Sequence, residues 1–463
     1  MALADIIARK RVDVATRQSL IPESTLRLGL GPSDRSLKAA LRREHTSFIL
    51  ECKKGSPSKG IIRPQFNLDE IASAYAPFAD AISVITDEPF FGGRLEYISG
   101  IRNQVTQPVL CKDFVVDPYQ VVEARWHGAD AILLMLSVLD DAVYANCARI
   151  ANELNMDVLT EVHDQDELER AHQLGAAIIG INNRNLATLK VDMQNTKRLA
   201  QLVEPDRLVV CESGIHDHKD IILFRDKVDG FLVGSSLMAR PDLDQAVREL
   251  IFGRTKVCGL TNPEAARLAY NSGACWGGVI FYSGSPRAVS VLQAQKICSA
   301  EPKLLWAGVF VDHSPDEVAS IANQLSLDAV QLHGNYDQWA IQRIYAQLPT
   351  TTAIWSRWVP DGEAPPSTCP EPVDKLVCDP KSKLKLGGTG ITFDWDVLVG
   401  LKSKNHLIVA GGLKPENAAA ADILGTWALD VNSGVETKPG HKDGDLLKQF
   451  FGARRGRGKR RRS

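Results

Sequence analysis

PVLCKDFVVDPYQVVEARWHGADAILLML, residues 108–136, is the stretch on which the fold turns. Two short apolar runs, PVLCKDF (108–114) and AILLML (131–136), bracket PYQVVEARWHG, which carries helical spacing and ends in Gly128. A strand, a helix and a second parallel strand give this pattern, and glycine suits the end of the helix. The same alternation extends outward in both directions. FILECK (48–53) and AISVITD (81–87) precede it; DVLTEV (157–162), IIGINN (178–183), LVVCESG (208–214) and GFLVGS (230–235) follow, making eight strand candidates. After a helical segment ending near Phe252 the rhythm restarts with TKVCGL (255–260). It continues through WGGVIFY (276–282), LLWAGVFVD (304–312), AVQLHG (329–334), TTAIWSRW (351–358), KLVCD (375–379), LIVAGGL (407–413) and WALDVNSGV (427–435), again eight. Eight strands close a barrel, whereas sixteen in one sheet are improbable. The expected class is therefore α/β, two tandem (β/α)8 TIM barrels joined near Gly253 and Arg254. Residues 1–253 form the first, with an extra N-terminal helix, and 254–453 the second. VPDGEAPPSTCPEP (359–372) is too rich in proline for a helix and is expected to replace the fifth helix of the second barrel with a loop.

Composition fits this division. A chain of 463 residues exceeds one comfortable core, and 44% hydrophobic with 24% charged residues supplies enough apolar material for two. The formal charge of -2 conceals an asymmetry: the last ten residues carry seven positive charges, so the remainder stands at -2 - 7 = -9. Residues 454–463 read as a basic, disordered tail. No nucleic-acid partner is expected unless that tail binds polyanions by counterion release. The nine cysteines are scattered, without a Cys-x-x-Cys pair, which points away from a disulfide framework or zinc cluster and toward a reducing cytoplasm. MALADIIARKRVDVATRQ is broken by charge too often for a signal peptide and reads as an amphipathic helix. No stretch approaches membrane-spanning length. Two complete barrels in one chain make an obligate partner unnecessary, so a monomer is expected.

In such barrels the active site lies at the C-terminal strand ends, so polar residues there carry a functional expectation. The first strand ends in Glu51-Cys52-Lys53, and the two-residue period sends Glu51 and Lys53 to one face. The third ends in Lys112-Asp113, the fifth in Glu161, the sixth in Asn182-Asn183-Arg184 and the seventh in Glu212-Ser213-Gly214. Two lysines and three glutamates thus converge on one mouth. Buried ions are costly unless paired, so a purely structural ion-pair ring competes with a catalytic set for any one residue; for the whole set the catalytic reading prevails. Gly214, Gly234 and Ser235 place backbone N–H groups where barrels commonly bind phosphate.

The succession ECKKGSPSKG, LCKDFVVDPYQ, LTEVHD, GINNRNL, CESGI and FLVGSSLM resembles the indole-3-glycerol-phosphate synthase family over essentially all of 1–253. The resemblance implies cyclisation, decarboxylation and dehydration of 1-(2-carboxyphenylamino)-1-deoxyribulose 5-phosphate to indole-3-glycerol phosphate, with neither metal nor organic cofactor. Ring closure needs a proton at the substrate's ketone oxygen, which suits a lysine whose pKa neighbouring cations and desolvation have lowered. Lys112 is assigned that role. Lys53 would pair with the substrate carboxylate, Glu161 exchange protons in the dehydration, and Glu51 with Asn182 orient the reacting groups. Glu212 and Ser213 would support the sugar, Ser56 and the glycine turns the phosphate, with Arg184 a further substrate contact. Which lysine delivers which proton stays open.

In the second barrel Cys258, alone, reads as a buried hydrophobe. Three strand-end residues reverse that preference: Arg287 after the second strand, His333 after the fourth and Asp379 after the sixth. Glycine turns follow at GGTG (387–390), Gly411-Gly412 and Asn432-Ser433-Gly434. KVCGLT, FYSGSPR, GVFV, VQLHG, GGTGITFDW, AGGLKPEN and LDVNSGVE together resemble phosphoribosylanthranilate isomerase over about 255–452. That implies an Amadori rearrangement whose product is the first barrel's substrate. Opening the furanose needs an acid and forming the enolamine a base, roles given to Asp379 with a raised pKa and Cys258 with a lowered one. Arg287 would hold the anthranilate carboxylate in its planar fork, and Gly411, Gly412, Ser433 and Gly434 the phosphate. Asp430 would position a sugar hydroxyl or a loop, and His333 either touch substrate or make only a structural hydrogen bond. The rival readings are a non-catalytic phosphosugar-binding barrel pair, which would not need matched acids and bases, and a histidine-biosynthesis isomerase, which would carry paired aspartates at strands one and five.

Overall fold

A computed structural model describes residues 3–185, 188–359, 363–380 and 394–456. Two compact units divide between Ile251 and Phe252. Each holds one closed barrel of eight parallel strands arranged in chain order.

The first barrel is built from Ser47–Cys52, Ala81–Ile85, Val109–Lys112, Ala131–Met135, Asp157–Val162, Ile178–Asn182, Leu208–Glu212 and Gly230–Val233. Its interior is filled by Ile49, Leu110, Leu159, Val210 and Leu232 among others. Each of the first four lies two residues before a charged strand end: Glu51, Lys112, Glu161 and Glu212. The strand period therefore makes the charged side chains the next layer above the apolar plug, facing the same way. The outer helices open on side-chain caps: Asp140 accepts from Val143 N, Asp164 from Glu167 N and Asp217 from Lys219 N and Asp220 N. The N-terminal helix Leu3–Leu20 buries Ile6, Lys10 and Val14, four residues apart and so on one face. Charge fixes it to the barrel. Arg17 donates to both carboxylate oxygens of Glu123 at 2.7 and 3.0 Å, and Lys10 lies 2.8 Å from Asp87 and 2.6 Å from Asp113.

The second barrel comprises Thr255–Val257, Trp276–Ile280, Leu305–Phe310, Ala329–Leu332, Ala353–Trp358, Lys375–Cys378, Leu407–Val409 and Ala428–Val431. Indole rings fill its lower interior: Trp276 and Trp355 stand 4.7 Å apart between centroids, with Trp427 beside both. No helix lies between Trp358 and Lys375 among the described residues.

The start of the expected disordered tail is corrected. The last helix runs Gly444–Arg455, and Arg454 is buried, donating to Asp422 Oδ1 through Nη2 at 2.7 Å and Nε at 3.1 Å and to Thr255 Oγ1. A guanidinium with a buried carboxylate partner belongs to the barrel, whatever the charge of its sequence neighbours. Arg457–Ser463 and the GGTG turn lie outside the described residues. No described helix is long and apolar enough to cross a membrane.

Candidate active sites

The mouth of the first barrel is a cavity of about 410 Å³. Glu51, Lys53, Lys112, Glu161, Asn182, Glu212, Ser213, Ser56, Arg184, Gly214, Gly234 and Ser235 all line it, so every residue expected there from the sequence is brought together. Leu3 and Ile6 of the N-terminal helix and Phe91 and Phe114 supply apolar wall. At the centre, Lys112 Nζ stands 3.5 Å from Glu161 Oε2 and 3.6 Å from Glu212 Oε2. Asn182 donates from Nδ2 to Glu161 Oε1 at 3.0 Å, and Lys53 Nζ lies 3.5 Å from Glu51 Oε1. Asn183, one residue on, turns to the other face and bonds Thr196 and the Ser213 carbonyl, a structural role.

The electrostatics reverse one expectation. Burial lowers the Lys112 ammonium's pKa, but Glu161, Glu212 and Glu51 together outweigh it and the net direction is upward. The lowered lysine is Lys53: burial acts most, Glu51 opposes it, and the Lys112 and Arg184 cations add to the lowering. The two central carboxyls split. Burial raises Glu161, yet Lys112, His163 and the Asn182 hydrogen bond bring it below its ordinary value. Burial pushes Glu212 up to about 8 against Lys112, with Glu161 and Glu51 adding repulsion. Two like charges around one ammonium favour a single ionised carboxylate, and His163 together with the Asn182 hydrogen bond favours Glu161. Glu212 Oε1 is buried and without a hydrogen-bond partner among the described residues.

Glycines on neighbouring strands make room for these side chains. A Cβ at Gly180 would fall on Glu212 Oε1, and one at Gly234 on Glu51 Oε1. Ser213 adopts a φ of 64° and Gly214 one of 85°, turning the chain back at the rim. For Ser213 that left-handed geometry is strained, as functional turns often are.

The second barrel opens into a cavity of about 600 Å³ lined by Cys258, Arg287, His333, Asp379, Gly411, Gly412, Asp430 and Ser433. Gly434 does not line it: a Cβ there would fall on the Leu413 carbonyl oxygen, so its task is to let two cavity loops close against each other. His333 Nε2 stands 3.1 Å from Asp379 Oδ2.

Two further expectations change here. The Arg287 fork is already engaged: Nε and Nη2 donate to the Glu436 carboxylate at 3.0 and 2.7 Å, and Lys442 Nζ reaches the same carboxylate at 2.8 Å. Only the remaining guanidinium edge can meet a substrate carboxylate. Burial raises the Cys258 thiol rather than leaving it low, with Lys256 opposing. Sequence reading missed Lys256, Gln331 and Glu436. Lys256 and Gln331 each sit two residues before a recognised group, Cys258 and His333, so the strand period applied one step deeper would have found them. Nothing local in the sequence marks Glu436 as the partner of Arg287.

Comparison with known proteins agrees with the division of the chain. The family model for indole-3-glycerol phosphate synthase matches residues 3–250, and that for N-(5'-phosphoribosyl)anthranilate isomerase matches 255–453. The tryptophan biosynthesis protein TrpCF of Vibrio parahaemolyticus is 48% identical over 97% of this chain and 93% of its own length. The TrpCF of Vibrio cholerae is 47% identical over 97% of this chain and 95% of its own. Among solved structures, phosphoribosylanthranilate isomerase of Thermus thermophilus is 30% identical, covering 43% of this chain and 97% of that one, with a TM-score of 0.39. The chain belongs to both families in tandem, a bifunctional enzyme of tryptophan biosynthesis with the synthase barrel first and the isomerase barrel second.

Proposed function

We propose that the two reactions are carried by two independent acid/base sets, one at each barrel mouth. In the isomerase, Asp379 protonates the furanose oxygen of N-(5'-phosphoribosyl)anthranilate and Cys258 takes the proton from the adjacent carbon, giving the enolamine that relaxes to the ketone. The observation that supports this division of labour is that both groups line one cavity, from strands three places apart in the ring. A base and an acid so separated can reach two sites of one sugar. Gly411, Gly412 and Ser433 offer backbone to the phosphate, Asp430 a hydroxyl contact, and the free edge of Arg287 the anthranilate carboxylate. His333, facing Asp379, is read as orienting that acid.

In the synthase, Lys112 is the proton donor to the ketone oxygen during ring closure. Its support is the position between one carboxyl held ionised and one held protonated, which keeps a charged donor at the centre of the mouth. Glu161 exchanges protons in the dehydration, and protonated Glu212 donates toward the sugar. Lys53 pairs with the substrate carboxylate, Glu51 and Asn182 orient the reacting groups, and Ser56, Arg184, Ser213, Gly214, Gly234 and Ser235 hold the sugar phosphate. The chain is taken to act as a cytoplasmic monomer, each site being enclosed within its own barrel. Supplying N-(5'-phosphoribosyl)anthranilate to purified protein tests the whole scheme: the carboxyphenylamino intermediate should appear first and indole absorbance second. An intermediate that accumulates without indole absorbance would remove the first barrel from it.

A further inference from the structure

We propose that Lys256 is the positioning residue that makes Cys258 a usable base, a buried ammonium set beside the sulfur that stabilises the thiolate facing the cavity against the cost of burial. The inference rests on reading Cys258 as the isomerase base. Lys256 is only 1% exposed and sits two residues before Cys258, so both side chains enter the barrel from one strand. Their heads share a pocket: a Cβ at Gly278 on the next strand would stand 2.8 Å from Lys256 Cε and 2.9 Å from Cys258 Sγ. The ammonium is held on two further sides, donating to Asp430 Oδ2 at 2.7 Å and to Gln331 Oε1 at 2.8 Å. Those two acceptors fix where the head sits.

A structural role alone accounts poorly for this arrangement. Withdrawing an ammonium and a carboxylate from water costs several kcal/mol per ion, and an apolar pair of similar size commonly serves stability as well or better. The ion pair here is also incomplete, since Asp430 Oδ1 is buried without a hydrogen-bond partner among the described residues and Asp430 lines the cavity. A thiol in apolar surroundings would stay protonated, and an adjacent cation is the usual remedy. Burial is the largest influence on the Cys258 thiol and raises it; Lys256 is the largest opposing one, ahead of Lys442, while Asp430 works with burial. Asp379 and His333 are the other titratable groups facing this cluster, through Asp430.

The test follows alkylation of Cys258 by a small haloacetamide against pH, read by mass spectrometry, beside the isomerase pH profile. Lys256→Met should move the alkylation midpoint and the acidic limb of kcat/KM upward together, by more than about one pH unit, with kcat at neutral pH falling at least about tenfold. KM should change much less, and Lys256→Arg, which keeps the charge, should restore the midpoint. If Lys256→Met does not fold, Lys256→Met/Asp430→Asn removes both charges together and must still move both midpoints upward, though by less, because Asp430 opposes Lys256 at the sulfur. Loss of activity with both midpoints unmoved would overturn the proposal, as would a Lys256→Arg midpoint displaced as far as that of the methionine variant. Cys258→Ala separates the two readings: full isomerase activity there would remove the base itself, whatever Lys256 does.

Discussion

The central carboxyls of the first barrel show how far residue type predicts chemistry. Glu161 and Glu212 are the same amino acid at equivalent strand ends, yet one is held ionised and the other protonated up to about pH 8. An ordinary glutamate loses its proton near pH ~4.3. Glu212 in the folded chain therefore remains a donor through neutrality and ceases to be one as pH rises through about 8. The synthase kcat/KM should decline across that range, and Glu212→Gln, whose amide donates at every pH, should flatten the decline at some cost in rate; an unchanged alkaline limb in the variant would exclude Glu212 as its source. The sequence located both glutamates through the strand period alone. It could not separate their protonation states, because the difference comes from a shared ammonium, from His163 and from Asn182 on the next strand, all set by packing. The same limit explains why the lowered pKa expected at Lys112 is found at Lys53.

Strand ends were legible where a short apolar run stops at a charged or glycine residue, as at Glu51, Lys112, Glu161, Glu212 and Gly234. The contribution of the N-terminal helix to the site was not. Its sequence announces an amphipathic helix, but Lys10 looks like one more solvated charge among Arg9, Lys10 and Arg11. In the fold it bridges Asp87 and Asp113, the latter next to Lys112, while Leu3 and Ile6 wall the cavity. Removing one member of a buried ion cluster leaves uncompensated charge and typically costs about 3–5 kcal/mol. Lys10→Ala should lose stability of this order by calorimetry. The deficit should shrink toward acidic pH, because burial already raises Asp87 and a raised carboxyl favours the folded state below its pKa and ceases to do so above it. A deficit that is small and independent of pH would mean the helix is held by its apolar face alone.

Across the whole molecule, the two closed rings were readable from the repeated alternation of sixteen strands, and the division between the units lies within two residues of the expected join. Separate rings with separate charge sets predict separable activities. Lys112→Ala should reduce indole-glycerol phosphate formation by about 10²-fold or more and leave the isomerase intact, and Asp379→Asn should do the reverse. Loss of both activities in either variant, measured with each substrate supplied directly, would sink their independence. Both rings also use one steric device. Glu212 and Glu51 occupy space left by Gly180 and Gly234, and Lys256 with Cys258 the space left by Gly278. Such positions cannot drift one at a time. An alanine at 180, 234 or 278 forces a reacting or positioning side chain to shift, so each glycine and its charged neighbour should be inherited as a unit, and grafting either active site onto another barrel will require the glycines to travel with it.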